Sequence, residues 1–225
     1  WYRNTDMNVH NLVDALAINS DVSPVGVDQP AFTTKYLLAL DFRIRHRLGL
    51  LPVSNFEQLS ASAEPLDEIR AIVRVERTHS RVLVLVFILA AAGLVRAVTG
   101  RLEPACLAIT LLAGCAGLLY HGLLSRPDLL CVGFGVILAA QCAWRAMAAE
   151  RPIVRSSWLF LAGLCCGFSI LSKLPGLLYL PVCYAWCWIA SLLREPAPND
   201  LRAFPRGPSL VLLGVGLAML FLVAH

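Results

Sequence analysis

Residues 104–144 read PACLAITLLAGCAGLLYHGLLSRPDLLCVGFGVILAAQCAW, in which Ser125-Arg126-Pro127-Asp128 separates two apolar runs, 104–124 and 129–144. Apolar runs of this kind are typical of helices that cross a membrane, which need about 20 residues. Charges at the edge of a membrane are costly and usually face a cavity, a partner or water. The stretch therefore predicts two spans that meet at the membrane edge, with Arg126 and Asp128 as candidate functional residues.

The apolar character continues through residues 82–225. The chain is 58% hydrophobic with a mean hydropathy of +0.68, whereas a soluble domain is about 45–50% apolar. Within 157–193, only Ser172-Lys173-Leu174-Pro175 interrupts the apolar sequence, which predicts either two short tilted spans or one broken span. The predicted fold is an all-α, polytopic transmembrane helix bundle with spans at 82–98, 104–121, 129–146, 157–171, 174–193 and 209–225.

Residues 1–81 have mixed polarity and precede the first span. Helical periodicity predicts one helix within 1–19, a second from about 30 to 48 that Gly49 stops, and a third that starts near 65 and runs into the first span. The stretch 52–64 is predicted to be a loop. We expect an external first loop of amphipathic helices on the membrane surface rather than an independent domain. We also expect that the chain is a fragment, with spans missing before residue 1 and after residue 225.

The distribution of arginines predicts the orientation. Arginines cluster at the connections 99–103, 147–156 and 194–208, which the positive-inside rule makes cytoplasmic. The connections 122–128 and 172–173 and the loop 1–81 are then external. Arg70, Arg74, Arg77 and Arg81 share one helix face on that side, an exception that anionic lipid phosphate would explain. These loops account for the net charge of +4, so no nucleic-acid partner is expected.

This topology places a set of acidic and basic side chains on one side of the membrane. They fit a reaction at the external interface, and they also fit a transport pathway. The candidate site residues are Asp6, Asp28, His121, Arg126, Asp128 and Lys173.

Four short segments carry a family resemblance: Asn4-Thr5-Asp6-Met7-Asn8, Val27-Asp28-Gln29-Pro30, Ser125-Arg126-Pro127-Asp128 and Ser172-Lys173-Leu174-Pro175-Gly176. With their order along the chain, the sequence resembles the GT-C superfamily of polyprenyl-phosphate-sugar-dependent membrane glycosyltransferases, of the protein O-mannosyltransferase and lipid A aminoarabinose transferase type. The resemblance implies an inverting transfer of a sugar from a polyprenyl-phosphate donor to an external lipid, glycan or protein acceptor. It implies a multi-pass protein of the bacterial inner membrane whose active site faces outside.

The resemblance also implies roles for individual residues. Asp6 would activate the acceptor hydroxyl as a general base, although it could simply be a first-turn acid of its helix. Asp128 would hydrogen-bond the acceptor or the sugar, although it could cap the span that follows. Arg126 would neutralise the lipid phosphate with its forked donors.

The remaining candidates carry similar alternatives. Lys173 would stabilise the leaving phosphate, or its ammonium group could snorkel to the headgroups. Asp28 would contact substrate, or it could cap the helix that follows Pro30. His121 would add a polar contact to the substrate.

The sequence identifies no certain cofactor, with a divalent metal as one possibility. Many relatives have an acidic pair near the start of the first loop, and here Met7 follows Asp6. His10 and Asp14 are the nearest substitutes, at i+4 and i+8. Three ligands with this spacing are too spread for one ion, so these side chains are predicted to form a solvated helix face.

Two other functions compete with the transferase. A transporter or lipid flippase is the main alternative, but it would need ionisable or broken segments near the midplane of the membrane. Here the charges gather at the external ends of the spans. A non-catalytic membrane scaffold is the third, and it would keep Asp6 and Asp128 far apart. No phosphate-binding glycine loop or soluble nucleotide-sugar motif is present.

Overall fold

The computed structural model describes residues 6–24, 31–122, 127–179, 181, 212 and 214–217, and the regular elements in these ranges are helices. This confirms the all-α fold class. The helices are α1 (Asp6–Asn19), α2 (Phe32–Arg47), α3 (Phe56–Ala61), α4 (Pro65–Thr99), α5 (Leu102–Ala113), α6 (Ala116–Gly122), α7 (Pro127–Val132), α8 (Ala139–Ala148) and α9 (Pro152–Ser172). A π-helical segment (Gly133–Leu138) joins α7 to α8, and a 3-10 turn (Leu174–Leu178) follows α9.

Three of these helical stretches are long and apolar enough to cross a membrane: α4, the continuous stretch Pro127–Ala148, and α9. They contain the predicted spans 82–98, 129–146 and 157–171. The predicted span 104–121 is divided, because α5 ends at Ala113 and α6 begins at Ala116. Of the predicted spans 174–193 and 209–225, most residues lie outside the described part of the chain. The protein is an integral membrane protein.

The structure divides into two compact units, residues 1–86 with 113–129, and residues 87–112 with 130–225. The core of the first unit is formed where α1 and α2 pack on each other and on Ile72 of α4. It is built from Leu12, Ala15, Leu16, Leu38, Ala39, Phe42, Leu51, Val53 and Ile72. Helices α1, α2 and α4 therefore each contribute a buried face to a shared core.

The ends of these helices follow from local sequence. Gly49 adopts φ +70° after α2, and the Leu50 N–H donates to the Arg45 carbonyl at 2.9 Å, which is a glycine stop of the predicted kind. In the predicted loop 52–64, the structure instead contains α3. The Asn55 side chain caps it by accepting a 2.9 Å hydrogen bond from the Gln58 N–H, so the loop prediction was wrong over these six residues.

Helix α2 has two apolar faces. Helical periodicity in the sequence predicts an apolar stripe that includes Leu40, Ile44 and Leu48, and all three are exposed. The face that enters the core instead carries Leu38 and Phe42. A helix whose second apolar face remains uncovered is suited to a lipid interface, which is the setting that the sequence predicts.

The second unit is packed through small side chains. Ala139 and Ala143 of α8 meet Ala162 and Cys166 of α9, and all four are buried. Small residues let helix backbones approach closely, which is the common way of packing helices in a membrane. This close packing holds the middle of α9 against α8.

Candidate functional site

The described residues include only part of the predicted site. Asp6 is the first residue of α1 and His121 lies in α6, but the structure describes neither side chain. Asp28 and Arg126 lie outside the described residues. The structure describes Asp128 and Lys173 in full, and both are half-buried.

Asp128 occupies the first turn of α7, directly after Pro127. Proline is suited to the first position of a helix, because its fixed φ is helical and it has no N–H to leave unpaired. An acidic side chain in the first turn is stabilised by the positive end of the helix dipole. The sequence Pro127-Asp128 thus places a carboxylate at the start of a membrane span.

Lys173 lies at the predicted break in the apolar sequence. Helix α9 ends at Ser172, and Lys173 itself is extended, with φ −161° and ψ 137°. Its N–H still donates to the Ser169 carbonyl at 3.1 Å, and its carbonyl accepts from the Gly176 N–H at 2.8 Å. These two hydrogen bonds pair backbone polar groups at the break, as an apolar environment requires.

Ser169, four residues earlier, connects this break to the stretch that follows Asp128. Its buried hydroxyl donates to the Cys131 carbonyl at 2.7 Å. The thiol of Cys131 in turn lies 3.9 Å from the Lys173 carbonyl. The sequence does not reveal the role of Ser169, because a serine within an apolar run carries no signal that distinguishes it from a small residue that fills space between helices.

Glycines allow this approach. A Cβ atom on Gly135 would lie 2.5 Å from the Ser169 hydroxyl, and one on Gly176 would lie 2.5 Å from the Ser169 carbonyl. Neither position has room for a larger residue unless the neighbouring atoms move. The two glycines therefore let the π-helical segment and the 3-10 turn contact the end of α9.

The π-helical segment begins two residues after Cys131. At its end the Ala139 N–H donates to the Phe134 carbonyl, five residues earlier. Turns of π-helix are frequent at functional sites. A side chain that hydrogen-bonds a helix carbonyl disturbs the regular backbone hydrogen bonds of that helix. The Ser169 hydroxyl on the Cys131 carbonyl is such a contact.

Asp14 is not the solvated residue that the helix pattern predicts. Its carboxylate lies 2.7 Å from the Lys35 ammonium group, and the two side chains are 1% and 3% exposed. The prediction was wrong because α1 turns this side chain toward α2, where Lys35 balances its charge. The pair joins the two helices inside the first unit, while His10 is exposed.

A second charged cluster joins α2 to α4. Asp41 lies 2.9 Å from the Arg45 guanidinium and 3.2 Å from Nδ1 of His79. Burial by itself raises the pKa of Asp41, but the hydrogen bonds from His79 and Arg45 outweigh it and hold that pKa below its usual value. The cluster fixes the juxtamembrane part of α4 against α2.

The described residues contain no group of three histidine, cysteine or acidic side chains that could hold a metal ion. Asp14, one of the three ligands considered for a divalent metal, has Lys35 as its partner instead.

Comparison with known proteins identifies the family. The sequence model described as dolichyl-phosphate-mannose-protein mannosyltransferase matches residues 75–223, about two thirds of the chain. That stretch contains Asp128, Ser169 and Lys173, and it begins after Asp6 and Asp28. No curated protein and no solved structure matches the chain. The chain therefore belongs to the dolichyl-phosphate-mannose-protein mannosyltransferase family, whose members are GT-C membrane glycosyltransferases with polyprenyl-phosphate sugar donors.

Proposed function

We propose that the protein transfers a sugar from a polyprenyl-phosphate donor to a hydroxyl group of an external acceptor, with inversion at the anomeric carbon. The observation that carries this proposal is the family match over residues 75–223, which includes both half-buried charges, Asp128 and Lys173. Each charge lies at an end of a candidate span, where a donor with a lipid tail and a polar head would be held.

The reaction is a displacement at C1 of the donor sugar. Asp6 takes the proton of the acceptor hydroxyl, the oxygen attacks C1, and the bond from C1 to the phosphate oxygen breaks. A single attack from the face opposite the leaving group inverts the configuration. A positioned carboxylate base of this kind contributes about 10²–10⁴-fold to the rate. The products are the glycosylated acceptor and the polyprenyl phosphate.

The leaving phosphate gains negative charge as the bond breaks. Lys173 and Arg126 are the cations that we assign to this group, because fixed positive charge lowers the energy of such a transition state. The backbone at the break supports this assignment, since its hydrogen bonds hold Lys173 in an extended conformation directly after α9.

Asp128, Asp28 and His121 are assigned to the acceptor and the sugar. Asp128 has the best structural support of the three, because Pro127 and the first turn of α7 fix its position. The arginine-rich connections support an orientation in which these residues face the outside of a bacterial inner membrane. The acceptor is a lipid, a glycan or a protein of the cell envelope.

The test is sugar transfer by the purified full chain in proteoliposomes. Polyprenyl-phosphate mannose with a labelled sugar is the first donor to try, because the family model is named for it. Wild-type protein should consume the donor and release polyprenyl phosphate, and Asp6→Asn should lower the rate by about 10²–10⁴-fold. Asp67→Asn is the matched control, since this exposed acid pairs with Arg70 on the surface of α4.

Two results would refute the proposal. If Asp6→Asn transferred sugar at the wild-type rate, Asp6 would not be the general base. Movement of the intact donor across the bilayer without cleavage of the sugar–phosphate bond would instead indicate a flippase.

A further inference from the structure

The part of α4 that precedes its apolar span carries one exposed basic face. Arg70, Arg74, Arg77 and Arg81 are exposed, and their spacing confines them to about 60° of the helix circumference. The opposite side of the same helix is buried at Ile72, Glu76 and Ser80. The arginine face is therefore the side of α4 that points away from the core of the first unit.

The four arginines differ in how far their charge is compensated. Arg70 lies 2.7 Å from the Asp67 carboxylate, one turn earlier. The Nε–H group of Arg74 donates a 3.4 Å hydrogen bond to the Arg70 carbonyl. For Arg77 and Arg81, no ion pair is present within the described part of the chain. Positive charge that lacks a carboxylate partner thus concentrates at the end of the face closest to the span.

The distance of each arginine from the bilayer follows from the rise of an α-helix. Exposed apolar side chains begin at Val82 and continue at Leu85. At about 1.5 Å per residue, Arg77 lies roughly 6 Å and Arg70 roughly 16 Å from Arg81 along the axis. The headgroup layer is about 5–8 Å thick on each side of the hydrocarbon. With α4 near the membrane normal, Arg77 and Arg81 lie within this layer and Arg70 lies beyond it.

We propose that Arg77 and Arg81, with Arg74 behind them, bind the headgroups of anionic phospholipids. Guanidinium groups bind phosphate oxygens through paired, charge-assisted hydrogen bonds. A zwitterionic headgroup carries its own cation beside the phosphate, so its attraction to an arginine face is weaker. Each basic side chain near an anionic membrane surface strengthens binding by about fivefold. Lipid binding at this face does not depend on the transferase activity.

The experiment measures lipid binding to the purified full chain in detergent micelles by native mass spectrometry. Phosphatidylglycerol is the anionic probe and phosphatidylcholine, with the same acyl chains, is the neutral one. Wild-type protein should bind phosphatidylglycerol more tightly, and the Arg77→Ala/Arg81→Ala variant should lose roughly 25-fold of that affinity. Arg77→Lys/Arg81→Lys keeps the charges and should retain most of it. Phosphatidylcholine binding should be similar in all of these variants.

Arg70→Ala is the matched control, because it removes an arginine of the same face that is already paired and lies beyond the headgroups. We expect less than about a twofold change in phosphatidylglycerol affinity.

The proposal is overturned if wild-type protein binds both lipids equally. It is also overturned if Arg77→Ala/Arg81→Ala binds phosphatidylglycerol like the wild type, or if Arg70→Ala causes as large a loss. The substituted residues are exposed, so circular dichroism spectra should match the wild type.

Discussion

Breaking the Asp14–Lys35 ion pair should destabilise the first unit strongly. The two side chains are 1% and 3% exposed and their charged atoms are 2.7 Å apart. Removing either partner leaves the other as a buried charge without its counter-ion, at a cost of about 3–5 kcal/mol. We therefore expect Lys35→Met and Asp14→Leu each to lower the free energy of opening of this unit by that amount.

The assay is hydrogen–deuterium exchange of the full chain, followed by mass spectrometry on peptides from α1 and α2. A loss of 3–5 kcal/mol corresponds to exchange faster by roughly 100- to 5,000-fold, until the rate of an unfolded peptide is reached. Asp14→Leu/Lys35→Met should recover most of the protection, because two apolar side chains leave no buried charge.

Arg70→Met provides the comparison, since it breaks an ion pair of the same 2.7 Å length in the same unit. The side chains of Arg70 and Asp67 are 73% and 60% exposed, so this pair contributes at most about 1 kcal/mol to stability. The expected cost of a lone buried charge is refuted if the backbone amides of Lys35→Met exchange at the wild-type rate. It is equally refuted if the effects of Lys35→Met and Asp14→Leu simply add in the double variant.

Three further predictions concern other contacts. The folded-state pKa of Asp41 is depressed, so the stability that this residue contributes is present above about pH 4 and is lost as the pH falls through that pKa. Melting temperatures measured between pH 3 and 6 should therefore fall at the acidic end for the wild type, and Asp41→Asn should remove this part of the fall. Ser169→Ala should cost about 1–3 kcal/mol by exchange, because it removes a buried hydrogen bond to the Cys131 carbonyl, whereas Ser172→Ala removes only a bond within α9 and should change little. Gly176→Ala places a Cβ against backbone atoms and should cost about 1–3 kcal/mol, while Gly216→Ala, which adds a Cβ in open space, should be tolerated.

The features that the sequence predicts well are those with a long-range hydropathy signal. The all-α class, three of the spans and the passage of α4 into the membrane follow from apolar runs and helical periodicity. The stop at Gly49 follows from its freedom to adopt φ +70°. These depend on local physics that a single sequence contains.

The features that the sequence does not predict depend on which helices meet. Asp14 reads as a solvated polar residue until the packing of α1 on α2 brings it to Lys35. Ser169 gains its importance only from the Cys131 carbonyl, 38 residues earlier. The two apolar faces of α2 are equivalent by periodicity, and packing decides which one is buried. At the proposed site, the sequence identifies Asp128 and Lys173 by their charge within apolar surroundings, and their roles remain predictions.

In the proposed mechanism, Asp6 and Asp128 act on one substrate at one site. The most direct measurement is kcat/KM for sugar transfer by Asp6→Asn, Asp128→Asn and the double variant in the same proteoliposomes. Residues that act as a unit give strongly non-additive losses. We expect a loss of about 10²–10⁴-fold for Asp6→Asn, a measurable loss for Asp128→Asn, and a double variant that is little worse than Asp6→Asn. Joint action at one site is contradicted if both single variants keep the wild-type kcat/KM. It is also contradicted if the losses of the two single variants multiply fully in the double variant.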